Sequence, residues 1–162
     1  MCLAVILSLP CDEFPKSAIR YKVVKKTKTN TGTYYNPLIK YCNSVPVGCG
    51  WDAHCSTGDC YYEHQKILYT DYGVPYDLGV HCFADLETAI EVHNSWKEWY
   101  KKNYNDDIAV VEVDARGFIA YGIERITLLS GLHFDPCLYS VDYKYVDVDV
   151  WSEVRIVREV YP

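Results

Sequence analysis

The sequence predicts an α+β fold, a twisted and mainly antiparallel sheet packed on one main helix at about 85–101. Three observations carry this reading. Short runs rich in β-branched and aromatic residues recur along the chain and are bounded by turn residues. Only one stretch, 85–101, carries helical spacing of its apolar residues. The 162 residues are 49% hydrophobic and 23% charged, a balance that suits an ordered core. The length fits one domain, residues 1–162. No apolar run approaches the ~20 residues of a membrane helix.

The elements follow in order. Residues 19–27, IRYKVVKKT, read as a strand, and Thr29–Gly32 as the turn that ends it. Tyr34-Tyr35-Asn36-Pro37 is extended, because a residue before Pro avoids the helical region. Residues 43–79 hold five Gly and two Pro with scattered aromatics, and read as a long irregular insertion. Gly79-Val80-His81-Cys82-Phe83 reads as a short buried strand.

Asp85 can cap the helix that follows, with Glu87 and Glu91 near its start and Lys97, Lys101 and Lys102 near its end. Leu86, Ala89, Ile90, His93 and Tyr100 share a face, joined by Trp96 or Trp99. Ile108–Val113 is apolar almost throughout and should be central. Arg116-Gly117 is expected to turn the chain, with one or two strands in 118–129. Val146, Val148, Val150, Val154 and Ile156 share one parity, and Tyr139, Val141, Tyr143 and Tyr145 the other. That switch predicts a bulge or sheet corner at Tyr145–Val146.

The net charge of −6 disfavours a general nucleic-acid partner. It is unevenly spread. Residues 1–40 hold seven Lys/Arg against two Asp/Glu, and the remainder nine against twenty. Lys16, Arg20, Lys22, Lys25, Lys26 and Lys28 follow one another with no acid between them. They form either a solvated strand face or a phosphate-facing edge. The sixteen Tyr suit half-buried strands, a ligand groove or a contact surface.

Eight cysteines raise the question of disulfides and export. The start MCLAVILSLPC has no basic lead and a short apolar stretch, and no Asn-x-Ser/Thr acceptor occurs in the chain. The expectation is a cytoplasmic protein with reduced thiols. Cys49, His54, Cys55, Cys60 and His64 contain the donors of a zinc site, with Cys49, Cys55, Cys60 and His64 as the ligand set. Their Cys-x5-Cys-x4-Cys-x3-His spacing matches no common zinc knuckle, so free thiols and a disulfide stay open beside zinc.

Two further positions could carry chemistry. Cys2, exposed as a terminal residue by removal of Met1, could act as a nucleophile with its own amine as base. His81, at a strand end beside a helix start, could meet an anion or a substrate hydroxyl. Glu112, Glu124 and Glu153 lie on or beside strands, and nothing in the sequence selects one.

Met1-Cys2-Leu3, Arg20-Tyr21-Lys22-Val23-Val24, Tyr35-Asn36-Pro37, Gly79-Val80-His81-Cys82-Phe83 and Val154-Arg155-Ile156-Val157 succeed one another along the chain. This skeleton resembles a group of small proteins of unassigned role from tailed phages and gut bacteria. The order of elements is also similar to ADP-ribosyltransferase-like domains. That similarity implies an NAD site with Arg20 or Lys22 at the first strand, His81 and Phe83 at the second, and Glu153 or Glu159 as the late catalytic acid.

The leading expectation is a protein that binds a nucleotide or NAD-derived ligand, to sequester or modify a host signal. The ligand would sit between strands 20–26 and 79–83. Arg20, Lys22 and Lys25 would meet its phosphates, and Tyr21, Tyr35 or Phe83 would stack on its base. An interaction module docking a host or virion protein is the alternative, as is an enzyme that uses Cys2, or His81 with Glu153.

Overall fold

The computed structural model describes residues 3–9, 14–30, 32–37, 45–46, 50–52, 67–77, 79–127 and 143–162. Ten strands and one helix are found among them. They are β1 (Leu3–Ser8), β2 (Ser17–Thr29), β3 (Gly32–Pro37), β4 (Val45–Pro46), β5 (Gly50–Asp52), β6 (Ile67–Tyr69), β7 (Pro75–Asp77), β8 (Val80–Phe83), α1 (Leu86–Tyr104), β9 (Asp107–Thr127) and β10 (Tyr143–Tyr161). The fold is α+β but dominated by its sheet, and this corrects the expected balance between helix and sheet. The helix meets only one of the two hydrophobic cores. No helix among the described residues is long and apolar enough to cross a membrane.

Two long strands form the frame. β9 and β10 pair antiparallel from Val110–Tyr161 to Thr127–Tyr143. The first half of β9 also pairs with β2, from Asp107–Lys26 to Arg116–Ser17, and its second half pairs with β1. β8 pairs with β10 on one side and meets β2 through the single pair Tyr21–Phe83 on the other. The pairings β9–β10–β8–β2–β9 therefore close into a ring. A closed sheet leaves few edges to protect.

Side chains alternate across the ring, as successive residues of a strand must. Val23, Phe83, Ile108, Val110, Val146 and Val148 pack with Ala89, Val92 and Trp96 of α1. Their neighbours Val24, Cys82, Ala109 and Val111 belong to a second core with Val113, Trp151, Val154 and Ile156. The helix packs outside the ring, so the second core is the inner face. Ile108–Val113 is apolar at nearly every position because both its faces are buried, which makes it the central strand the sequence implied.

The helix begins where the sequence places it. Asp85 accepts from the Thr88 amide at 2.7 Å and caps α1. Asn105 ends it in the left-handed region at φ 53°, its amide turned back to the Lys101 carbonyl. Val92, absent from the expected face, is fully buried with Ala89. His93 is buried as well; its Nε2–H donates to the Ile108 carbonyl at 3.1 Å, and Tyr161 packs edge-on at 5.1 Å.

Three sequence readings need correction. Arg116-Gly117 does not turn the chain; β9 runs through it as one strand of 21 residues. Gly117 has φ 65°, and a Cβ there would lie 2.0 Å from Ser152 Oγ. It marks an irregularity inside the ladder, next to the register shift at Val150/Trp151. No bulge occurs at Tyr145–Val146, where the pairing with Arg125 and Glu124 is continuous. Tyr143 and Tyr145 simply face solvent. The stretch 43–79 is more regular than expected among its described residues. It supplies β4 to β3, β5 to β10, and the β6–β7 hairpin.

Gly117→Val should destabilise the protein by about 2 kcal/mol or more, because a β-branched residue is strained at that φ and collides with Ser152. Urea denaturation of the variant and the parent measures it. A second expectation concerns acid. Burial, aided by Lys97, holds the His93 imidazole below its ordinary value, against the opposing bonds to Ile108 and Asn94. The unfolded chain then binds a proton at ~pH 6.5 that the folded chain resists. Stability from this source is complete above that pH and falls as pH drops. His93→Gln keeps a donor for Ile108 and should flatten the slope of unfolding free energy between about pH 7.5 and 5.5.

Candidate functional site

Buried polar side chains single out one region. Among the described residues Lys22, His81, Glu124 and Asp149 are buried within the sheet. Such groups are held in place only by partners. β8 presents Val80 and Cys82 to the inner core, and so turns His81 and Phe83 toward the helix side. There His81 Nδ1 lies 2.8 Å from Glu124 Oε2. Both side chains are almost fully buried.

The other ring nitrogen, Nε2, lies 3.4 Å from the Tyr76 hydroxyl of β7, and that oxygen accepts from the Leu3 amide of β1 at 2.9 Å. A line of polar contacts therefore runs from β1 through β7 and β8 to β9. With His81 neutral, Nδ1–H donates to the Glu124 carboxylate and Nε2 accepts from Tyr76.

Lys22 occupies the weak joint of the ring. β2 and β8 share one residue pair, and beside it the Lys22 Nζ donates to the His81 carbonyl at 2.6 Å. The ammonium replaces the backbone bond that a longer ladder would make there. It has three protons to place, and no carboxylate among the described residues lies within 4.0 Å of it. A cavity of about 10 Å³ opens at this joint, lined by Lys22, His81 and Glu124 and walled by Val23, Phe83 and Trp96. It admits about one water-sized group.

Arg20 sits on the same strand with a different fate. Its Nε donates to the buried Asp149 carboxylate, and its guanidinium lies 5.5 Å from the Trp151 ring. Phe118 packs edge-on against the same indole at 5.4 Å, and Trp151 Nε1 has no hydrogen-bond partner among the described residues. Lys25 pairs with Asp106 at 2.7 Å. Lys26 and the Tyr35 hydroxyl both donate to Glu159, at 2.5 and 2.6 Å. Burial raises the Glu159 carboxyl, but these two bonds outweigh it and the net shift is downward.

Of the residues the sequence nominated, the structure brings Lys22, His81 and Phe83 to one cavity. Tyr21 adjoins it through its ladder pair with Phe83 and packs half-buried against the helix-side core. Arg20, Lys25 and Tyr35 each face a carboxylate elsewhere and do not converge with them. The carboxylate that meets His81 is Glu124. Glu153 is exposed on β10, opposite Asp52 of β5, and Glu159 is held by Lys26 and Tyr35.

Cys2 lies outside the described residues, as do Cys49, His54, Cys55, Cys60 and His64. Among the described residues no group of three or more His, Cys, Asp or Glu gathers to hold a metal. Of the residues at the candidate site, sequence reasoning named Glu124 without selecting it and did not name Tyr76. Parity does not separate buried Asp149 from exposed Asp147, since both alternate with valines in the same strand.

Cys82, fully buried beside this site, should be chemically inert. Burial pushes its thiol up to about 11, with Asp149 adding to the rise and Lys22 and Arg20 opposing it. The thiolate is the reactive form. Alkylation of the native protein at neutral pH, followed by peptide mapping, should leave Cys82 unmodified until denaturant is added.

Compared with known proteins, the chain matches no family model, no curated protein and no solved structure.

Proposed function

We propose that the protein binds a nucleotide or NAD-derived ligand through one anionic oxygen, placed at Lys22 in the cavity between β2 and β8. The observation that carries this is the Lys22 ammonium. It is buried, its partner among the described residues is the His81 carbonyl, and Lys22 borders a space of one-atom size. A buried cation without a carboxylate is costly, and an anionic oxygen in the cavity offsets that cost. The oxygen of a phosphoryl group fits the space, while the remainder of the ligand would lie outside it. This departs from the phosphate cluster the basic strand suggested, because Arg20, Lys25 and Lys26 already hold carboxylates of their own chain.

Isothermal titration of ADP-ribose, NAD and inorganic phosphate into the protein tests the reading. Binding should weaken at least ~10-fold in Lys22→Met, the cost of one charge-assisted hydrogen bond. Lys22→Met also orphans the His81 carbonyl, so its melting temperature should fall somewhat, and binding is compared where circular dichroism shows both proteins folded. Lys25→Met, which disturbs only a half-exposed ion pair, should bind as the parent does. No binding by the parent, or equal affinity in Lys22→Met, would refute the proposal.

A further inference from the structure

We infer that this site is proton-coupled, so that His81 takes up one proton when the anion binds; the inference rests on the anion site proposed at Lys22. The charges around the cavity require it. Lys22 and Glu124 line the cavity, and Arg20 and Asp149 act with Lys22 on Cys82 at its wall, so the two positive and two negative charges cancel while His81 is neutral. An entering anion then stands near a buried carboxylate in a site with little water, and like charges there repel strongly. Protonation of His81, 2.8 Å from that carboxylate, restores neutrality with the ligand in place.

The surroundings of the imidazole accommodate both states. In the neutral ring Nε2 accepts from the Tyr76 hydroxyl. In the imidazolium Nε2–H donates to the same oxygen, and Tyr76 needs only to turn its O–H hydrogen away. The Leu3 amide keeps donating to that oxygen in either case. Glu124 receives Nδ1–H throughout. No heavy atom has to move for the charge to change.

The groups facing His81 can be named element by element. β9 brings Glu124, β7 brings the Tyr76 hydroxyl, and β2 brings Lys22, which is bonded to the His81 carbonyl. β1 brings a backbone amide. α1 and β10 contribute Trp96 and Val148 to the cavity, β8 adds the Cys82 thiol, and Asp149 of β10 with Arg20 of β2 acts on that thiol. Asp149, the neighbour of Val148, points to the other face with Arg20. Of the groups that line the cavity, the His81 ring is the one held between an acceptor at Nδ1 and a hydroxyl oxygen at Nε2 that can either donate or accept.

Calorimetric titration of ADP-ribose, whose diphosphate does not titrate near neutrality, in two buffers of different ionisation enthalpy counts the protons. About one proton should be taken up per ligand, and affinity should rise up to ~10-fold per pH unit on mild acidification. His81→Gln should still bind but take up none. Binding by the parent with no proton uptake, or uptake that persists in His81→Gln, would overturn the inference and leave the anion site standing. No binding at all would overturn both. If His81→Gln does not fold, the imidazole NMR signals of His81 in the parent give the same reading. Saturation with ADP-ribose at fixed pH should move them to imidazolium positions, and unmoved signals would refute the coupling.

Discussion

The main sheet hangs on the ladder between β9 and β10, which pair with β1, β2, β5 and β8, while β3 and β4 continue it from β2. The two strands run alongside each other over almost their whole lengths, and the partners of both are distributed along them. β9 offers its free edge first to β2 and then to β1. β10 offers its edge to β8 and then to β5. Because one ladder serves both ends of the ring, its twist sets where β2 and β8 can meet, and they meet at a single residue pair. The helix then covers the outer face of this frame, and the inner face is filled by Val, Ala, Cys and Trp side chains. Small and β-branched residues suit that interior, since strands crossing in a narrow ring leave little depth between them.

The incomplete joint between β2 and β8 explains why the polar residues are found where they are. A backbone carbonyl left over at His81 needs a donor, and Lys22 supplies it from across the gap. On the helix side the His81 ring needs an acceptor, and β9 provides Glu124 from the half of the strand that pairs with β10 rather than β2. β1 and the β6–β7 hairpin are tied in through Tyr76. One defect in the ring thus gathers side chains from β2, β7, β8 and β9. The same atoms that complete the fold form the candidate site, so a substitution there must be read for stability and binding together.

Much of the frame was legible in the sequence, for local reasons. The strand at 19–27, the Asp85 cap, the helical face and the doubly buried Ile108–Val113 run follow from periodicity and capping chemistry, which act over a few residues. What was not legible depends on register between distant segments. Gly117 has the signature of a turn, but a glycine in the left-handed region serves equally inside a long bent strand. Only the pairing with Ser152 distinguishes the two. The parity of Tyr143 and Tyr145 was readable, but which parity faces water depends on where β9 lies. Glu112, Glu124 and Glu153 are alike in sequence. They separate only when the ladder places Glu124 opposite Val146 on the buried face and leaves Glu153 exposed.

The basic strand shows most directly why composition was a poor guide to the site. Arg20, Lys22, Lys26 and Lys28 share one parity along β2 and Lys25 the other, and that excess of positive charge suggests a site for phosphates. The excess is compensated in space by acids far along the chain. Asp149 answers Arg20, Asp106 answers Lys25 and Glu159 answers Lys26. The acidic balance of residues 41–162 is in part the counterpart of the basic balance of residues 1–40. After that cancellation the cation of interest is not the most exposed of the series but the most buried. Lys22 faces a gap in the ring where no carboxylate among the described residues lies within 4.0 Å of its ammonium, beside the His81–Glu124 pair. In the proposed site the net charge is small and would be adjusted by one proton, whereas a strand of free lysines would offer a fixed charge. Under that proposal, such a lining would be neutral when empty and neutral again with an anionic oxygen in place.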